Sequence, residues 1–182
     1  YKGKAQARNE SQGKRVYINY VARRIKRFER RHSVSFINQF GCFIPLYRAH
    51  GQSPLREVWN IAPDNHPAYK SIVWYHNLRY RLMPYLYSMT GWVHLHDYTM
   101  MRALVMDFNG DSNVYDIKDQ WMFGPSLMAC PVGEYKARNR RVYFPQQRNW
   151  YDLYTGRHIT GGQTLIVDAP YERIPVFVPE GS

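Results

Sequence analysis

The 182-residue chain is predicted to be an α+β protein in which a helical part precedes an antiparallel β-sandwich. Apolar side chains recur at helical spacing between residues 75 and 93, which indicates one long amphipathic helix. After residue 98 the pattern changes to short runs rich in Val, Ile, Tyr and Phe, separated by turn residues. Several short strands with regular turns favour a sandwich. We therefore expect a domain boundary near residue 98, between 1–98 and 99–182.

The helical part contains a polar loop at 60–66, and Pro67 suits the first turn of the helix that follows. Pro84 removes a hydrogen bond to the preceding turn, so a kink is predicted there. The buried stripe of the helix is formed by Tyr75, Leu78, Leu82, Leu86, Met89 and Val93.

An apolar segment at 40–47, interrupted by Gly and Pro, precedes the polar cluster Arg48-Ala49-His50-Gly51. Such a cluster after an apolar element is typical of the active-site rim of an α/β barrel, and the residues alone fit an ordinary loop better. Further upstream, 16–18 is a short strand candidate, and 20–32 carries Arg or Lys on every helical face.

The sandwich part contains six strand candidates, and Gly, Asn and Pro signals lie between them. The candidates are 101–108, 121–132, 141–144, 150–154, 164–167 and 174–178.

The net charge of +11 is concentrated at one end of the chain. Residues 1–35 carry a net charge of +9, and the rest of the chain is nearly neutral. The distribution therefore argues against a nucleic-acid-binding protein, because a local basic run is usually a solvated or tail-like segment. No stretch reaches the length of a transmembrane helix and no signal peptide is visible, so no membrane partner is predicted. Both ends look cut, and a periplasmic or extracellular location is slightly favoured over the cytoplasm.

The motifs for metal or covalent chemistry are weak. The segment 107–113 is similar to a calcium loop, but its Gly and the residue at position 12 do not fit, so a turn is predicted. His94 and His96 lack a third ligand, and they are expected to be exposed at a helix end. Cys42 and Cys130 lie in apolar contexts and are predicted to be buried free thiols. No metal and no cofactor are predicted.

Several segments together resemble glycoside hydrolase family 31, in the same order along the chain. The wording Arg-Ala-His-Gly at 48–51 and Tyr-Thr-Met-Met-Arg-Ala-Leu at 98–104 is most similar to the α-xylosidase branch. The resemblance runs from residue 36 to the end and is carried by 39–51, 78–88, 97–108, 120–125, 150–156 and 169–175.

The resemblance implies that 36–98 are the last part of a catalytic (β/α)₈ barrel and that 99–182 are most of the proximal β-sandwich. It implies a retaining α-glycosidase, most similar to α-xylosidases acting on xyloglucan-type oligosaccharides, with an α-glucosidase of the same family as the alternative. A non-catalytic carbohydrate-binding sandwich is a further alternative, which requires Trp or Tyr side chains aligned on one exposed sheet face.

The family uses two aspartates, a nucleophile and an acid/base, and neither is expected in this chain. The nucleophile lies upstream of the matched region in the family. The acid/base segment is expected after residue 18, where the basic run 19–35 stands instead, without any Asp. We therefore interpret 19–35 as a shifted reading frame or a join between distant pieces, and we expect the chain alone to be inactive.

The resemblance also implies two substrate-binding residues and no catalytic residue. His50 matches the family histidine that hydrogen-bonds the sugar in the −1 subsite, and Arg48 matches a rim or scaffold arginine. The implied partner is an oligosaccharide.

Overall fold

The computed structural model describes residues 30–48, 57–134 and 136–182. The strand candidate 16–18, most of the basic run and His50 lie outside these residues. Within the described part, helices precede strands, in agreement with the predicted order. The helices are α1 (Arg30–Gly41), α2 (Val58–Ile61), α3 (Pro67–Arg81), α4 (Met83–His96) and the short α5 (Leu104–Asp107).

The long predicted helix begins at Pro67 and is interrupted near Pro84, as expected. His66 caps α3, because its imidazole Nδ1 accepts the backbone N–H of Ala68 at 3.1 Å. Leu82 separates α3 from α4 two residues before Pro84. The predicted buried stripe is correct in its middle, at Tyr75, Leu86 and Met89. It is wrong at its end, because Val93 is 39% exposed.

The strands form two antiparallel sheets. The six-stranded sheet has the order β1-β2-β3-β8-β5-β6, and β4 pairs with β7 in a separate two-stranded sheet. The predicted antiparallel sandwich is therefore confirmed. The strands are β1 (Met101–Ala103), β2 (Trp121–Phe123), β3 (Leu127–Ala129), β4 (Asn139–Phe144), β5 (Trp150–Asp152), β6 (His158–Ile159), β7 (Gln163–Asp168) and β8 (Val176–Pro179).

Two strand predictions are wrong in detail, and one strand was missed. The run 101–108 is a strand only at its start, because α5 follows from Leu104. The run 121–132 is a hairpin, β2 and β3, whose turn includes Gly124 at φ +64°. A side chain at Gly124 would collide with Met89 and the Tyr85 hydroxyl, so the close approach of α4 requires glycine there. The two-residue β6 had too little pattern to predict.

The six-stranded sheet is covered on both faces. Along β2, Trp121 and Phe123 point to one side and Met122 to the other, and all three are buried. One face packs on the helices and forms what we call the interface cluster: Cys42, Phe43, Tyr75, Leu86, Met89, Trp121, Phe123, Leu127, Ala129, Ile174 and Val176.

The other face packs on the β4–β7 sheet and on α5. It forms what we call the sandwich cluster: Leu104, Phe108, Val114, Met122, Met128, Cys130, Val142, Phe144, Trp150, Ile159 and Phe177. A sheet buried on both faces reads as continuous apolar runs, which is why 121–132 gave no period-2 signal.

Candidate functional site

The segment 42–48 connects the end of α1 to the predicted substrate-binding residues. Arg48 is its last residue and lies exposed on the surface. His50 follows two residues later, outside the described residues, so the expected neighbourhood of His50 and Arg48 stays a prediction. What the structure does show is how the chain leading to both residues is held.

Four consecutive backbone carbonyls of this segment accept hydrogen bonds from side chains of other elements. The Arg79 guanidinium of α3 donates to the carbonyls of Cys42 at 2.7 Å, Ile44 at 2.9 Å and Pro45 at 2.9 Å. The indole N–H of Trp121, on β2, donates to the carbonyl of Phe43 at 3.0 Å. The segment is therefore fixed from the helical side and from the sandwich side together.

Arg79 lies between two aromatic rings. Its guanidinium carbon is 5.8 Å from the centre of the Tyr47 ring and 5.6 Å from that of Phe123. Burial lowers the pKa of Arg79, and a guanidinium remains charged at neutral pH despite such a shift. Among the residues that the structure describes, this charge is met by carbonyl oxygens and ring faces and by no carboxylate within ion-pair distance.

A second polar group holds Tyr47, immediately before Arg48. The Tyr47 hydroxyl donates to Asn38 Oδ1 at 3.1 Å, and Nε2 of His76 lies 3.2 Å from the same oxygen. Burial lowers the pKa of His76, so a neutral ring with its proton on Nε2 satisfies this contact. Gly41 is necessary here, because an added Cβ would lie 2.8 Å from the Tyr47 ring.

The helices and the sandwich are joined by buried polar contacts. The Tyr75 hydroxyl accepts the backbone N–H of Ile174 at 3.0 Å and lies 3.0 Å from the Tyr154 hydroxyl. Tyr154 in turn donates to the carbonyl of Ile174 at 2.9 Å. Gln39 donates to the carbonyl of Tyr171 at 2.9 Å. These bonds fix the orientation of the helical segment on the sheet that supplies Trp121.

The two cysteines are buried free thiols, as predicted, and the loop at 107–113 contains a turn. Burial raises the pKa of Cys42 and that of Cys130 to about 12, so neither is a thiolate nucleophile at neutral pH. Asp111, in the loop similar to a calcium site, is fully buried, and its carboxylate accepts hydrogen bonds from protein donors. The described part of the chain contains no group of three metal-ligating side chains, and none of its helices has the length and apolarity to span a membrane.

Sequence reasoning missed Arg79, Trp121, Asn38 and His76. The available signal for Arg79 was an arginine beside the apolar stripe of a helix. That signal did not indicate its partners, because backbone carbonyls 34 to 37 residues away carry no sequence signature.

Comparison with protein-family models places the chain among the glycoside hydrolases. Residues 37–89 match the model described as "Glycosyl hydrolases family 31 TIM-barrel domain". Residues 97–182 match that described as "Glycosyl hydrolase family 31 C-terminal domain". The chain belongs to glycoside hydrolase family 31, and the predicted fold class, the end of a barrel followed by an antiparallel sandwich, is confirmed.

The similar proteins carry the names of several different enzymes. The α-xylosidase of Saccharolobus solfataricus is 38% identical over 145 residues, which cover 79% of this chain and 19% of the relative. The α-glucosidase 2 of Bacillus thermoamyloliquefaciens is 31% identical over 146 residues, which cover 79% of this chain and 18% of the relative. The chain thus spans about one fifth of the length of these curated relatives.

Solved structures show the same spread. The α-xylosidase of Xanthomonas citri has a TM-score of 0.81 and 44% identity, over 84% of this chain and 16% of the other. The dextranase of Flavobacterium johnsoniae has a TM-score of 0.78 and 32% identity, over 84% of this chain and 18% of the other.

Proposed function

We propose that this chain is part of a retaining α-glycosidase of the α-xylosidase type, which acts on xyloglucan-type oligosaccharides without a cofactor. The observation that carries the proposal is the higher identity to two α-xylosidases, 38% and 44%, than to the α-glucosidase at 31% or the dextranase at 32%. An α-glucosidase of the same family is the second candidate, because these other activities are also represented among the similar proteins.

Within this function we assign binding roles to two residues and a catalytic role to none. His50 would hydrogen-bond the sugar in the −1 subsite, and Arg48 would contact it at the rim. The exposure of Arg48 at the end of an anchored segment supports this assignment. The two catalytic aspartates of the family mechanism are assigned to no residue of this chain. The division into 1–98 and 99–182 is part of the same proposal.

Two measurements on the purified chain test the proposal. We expect no hydrolysis of an aryl α-xyloside, since catalysis by the family requires both carboxylates. We also expect NMR line broadening of methyl α-xyloside at lower protein concentration than of methyl α-glucoside. Hydrolysis of the xyloside would contradict the absence of catalytic residues, and stronger binding of the glucoside would favour the α-glucosidase.

The alternative of a stand-alone carbohydrate-binding sandwich receives no support. It requires exposed aromatic side chains in a row on one sheet face. Within 99–134 and 136–182, one aromatic side chain, Tyr115 at 59%, is among the strongly exposed residues, and it lies outside the strands. The other alternative, nucleic-acid binding by 20–32, falls mostly outside the described residues and is not proposed.

A further inference from the structure

We propose that Arg79 and Trp121 are positioning residues that together set the course of the 42–48 segment, and thereby the place where Arg48 is presented. The inference rests on the proposed function for its link to sugar binding. The claim that Arg79 and Trp121 hold the segment rests on the four carbonyl contacts alone.

The segment lacks the regular structure that would otherwise hold its backbone. Its own backbone bonds run from the N–H groups of Cys42, Phe43 and Ile44 back to α1, at 3.1, 3.1 and 3.4 Å, and they leave the carbonyls of 42 to 45 to other donors. Its carbonyls at 42 to 45 point away from α1 to donors on α3 and β2. The bond from Trp121 is buried, and those from Arg79 to Cys42 and Ile44 are partly buried. Because a buried carbonyl without a donor costs free energy, these three bonds favour the observed backbone course.

The two donors are suited to this task by their shape. The planar guanidinium of Arg79 has donors in a fixed fork, and it reaches three carbonyls that a single ammonium could not satisfy in the same geometry. The Trp121 indole is 5% exposed, and its ring packs edge-on against Phe40, at a centroid distance of 5.2 Å.

Because Trp121 belongs to the sandwich, the inference makes the sandwich part of the support for the substrate-binding segment. Tyr85 reinforces this link: its hydroxyl donates to the carbonyl of Phe123 at 2.8 Å and accepts the N–H of Ser126 at 3.1 Å. These bonds fix the β2–β3 hairpin against α4 and keep the Trp121 indole within hydrogen-bond distance of the Phe43 carbonyl.

The test measures amide hydrogen exchange in the full 182-residue chain. Arg79→Lys keeps the charge and loses the fork, and Trp121→Phe keeps an aromatic ring and loses the N–H. We expect the hydrogen-bonded amides of Cys42, Phe43 and Ile44 to exchange about tenfold faster in each variant, as for the loss of one or two hydrogen bonds. The amides of α3 and of β4 should exchange as in the wild type.

Two matched controls separate positioning from general stability. Arg81→Lys changes an exposed arginine two residues further along the same helix. Trp150→Phe removes the same kind of bond, from an indole N–H to the Pro145 carbonyl at 3.2 Å, inside the sandwich cluster. Neither control should accelerate exchange at 42–48 selectively. Acceleration spread evenly over the chain in the Arg79 and Trp121 variants, or none at 42–48, would overturn the proposal.

A second readout connects positioning with the sugar. If wild-type chain binds methyl α-xyloside, Arg79→Lys and Trp121→Phe should weaken that binding about tenfold, and Trp150→Phe should not. Unchanged binding in the two test variants would contradict the link to the sugar. Failure of the wild type to bind would contradict the proposed roles of Arg48 and His50 in this chain, while the exchange pattern would still decide the positioning roles.

Discussion

The two faces of the six-stranded sheet are stabilised in different ways. The sandwich cluster contains aromatic rings packed edge-on or tilted against one another. The Phe144 ring centre lies 4.7 Å from that of Phe177 and 6.3 Å from that of Trp150, and Phe108 lies 5.7 Å from Trp150. The interface cluster also contains eleven buried residues. A hydroxyl, a guanidinium and an indole there bond to backbone atoms between the helices and the sheet, whereas the sandwich cluster contains the indole bond from Trp150 to Pro145.

This difference indicates separate roles. Ring packing in the sandwich cluster supplies stability with little directional demand. The hydrogen bonds of the interface cluster add less free energy but fix one orientation, because a shifted helix would leave buried donors unpaired. The 42–48 segment, for which we propose a role in substrate binding, is held by the second kind of contact.

The largest effect is expected from Trp150→Ala, which removes the central ring of the sandwich cluster. Trp150 is fully buried, so the substitution should lower the free energy of unfolding by about 3–5 kcal/mol. Urea unfolding followed by circular dichroism measures this loss. Trp59→Ala, at a residue 68% exposed, is the matched control and should change stability by less than about 0.5 kcal/mol. Equal losses would contradict the comparison.

A smaller effect is expected from Tyr75→Phe in the interface cluster. The ring remains, but the N–H of Ile174 loses its acceptor and Tyr154 loses one partner, which should cost about 1–3 kcal/mol. Tyr87→Phe, on an 83% exposed side chain of α4, should be neutral. The same urea experiment applies, and a neutral Tyr75→Phe would contradict a stabilising role for the Tyr75 hydroxyl.

The two cysteines provide one probe in each cluster. The Cys42 thiol donates to the carbonyl of Tyr75 at 3.6 Å, whereas Cys130 has no side-chain hydrogen bond to any described residue. A serine hydroxyl at position 42 could still donate to the Tyr75 carbonyl. At position 130 it would lose its hydrogen bonds to water and gain none from the protein. We therefore expect Cys130→Ser to be less stable than Cys42→Ser by about 1 kcal/mol, measured by thermal unfolding. The reverse order would contradict the contrast between the clusters.

A pH-dependent effect is expected from Asp111→Asn, beside the sandwich cluster. At neutral pH the variant should already be less stable than the wild type, because the substitution replaces one accepting carboxylate oxygen with an NH2 group that cannot accept. Burial by itself raises the pKa of Asp111, but bonds from Tyr143, from the N–H of Gln146 and from Asn113 together lower it below its usual range.

This pKa shift gives the prediction its sign. A carboxyl with a lowered folded pKa contributes stability above its unfolded pKa of about 3.9, and that stability is lost as the pH falls through the folded value. The wild type should therefore lose more stability than Asp111→Asn between about pH 5 and pH 2. Parallel pH profiles of the unfolding midpoint in the two proteins would contradict this assignment. Asp64→Asn, at an exposed loop position, serves as the control and should follow the wild-type profile.

The features of the fold that the sequence predicts are those that depend on local residue pattern. The start of α3 at Pro67, the break near Pro84 and the strands around residues 142 and 165 follow from backbone chemistry and from side-chain periodicity. The β2–β3 hairpin was less predictable because both of its faces are buried. The helix at Leu104–Asp107 was also less predictable. Its local sequence favours a strand, and the helix is seen only in the folded protein, where Leu104 packs in the sandwich cluster.

The family, the order of helices and strands, the burial of both thiols and the motif that contains Arg48 and His50 were all predictable from the amino-acid sequence. These are properties of local composition and ordered motifs. Only the tertiary structure decided that Arg79 and Trp121 converge on four successive carbonyls, and that tyrosine hydroxyls join the helices to the sheet. The physical reason is that a backbone carbonyl is the same in every residue, so a contact to it becomes visible only when the chain is folded.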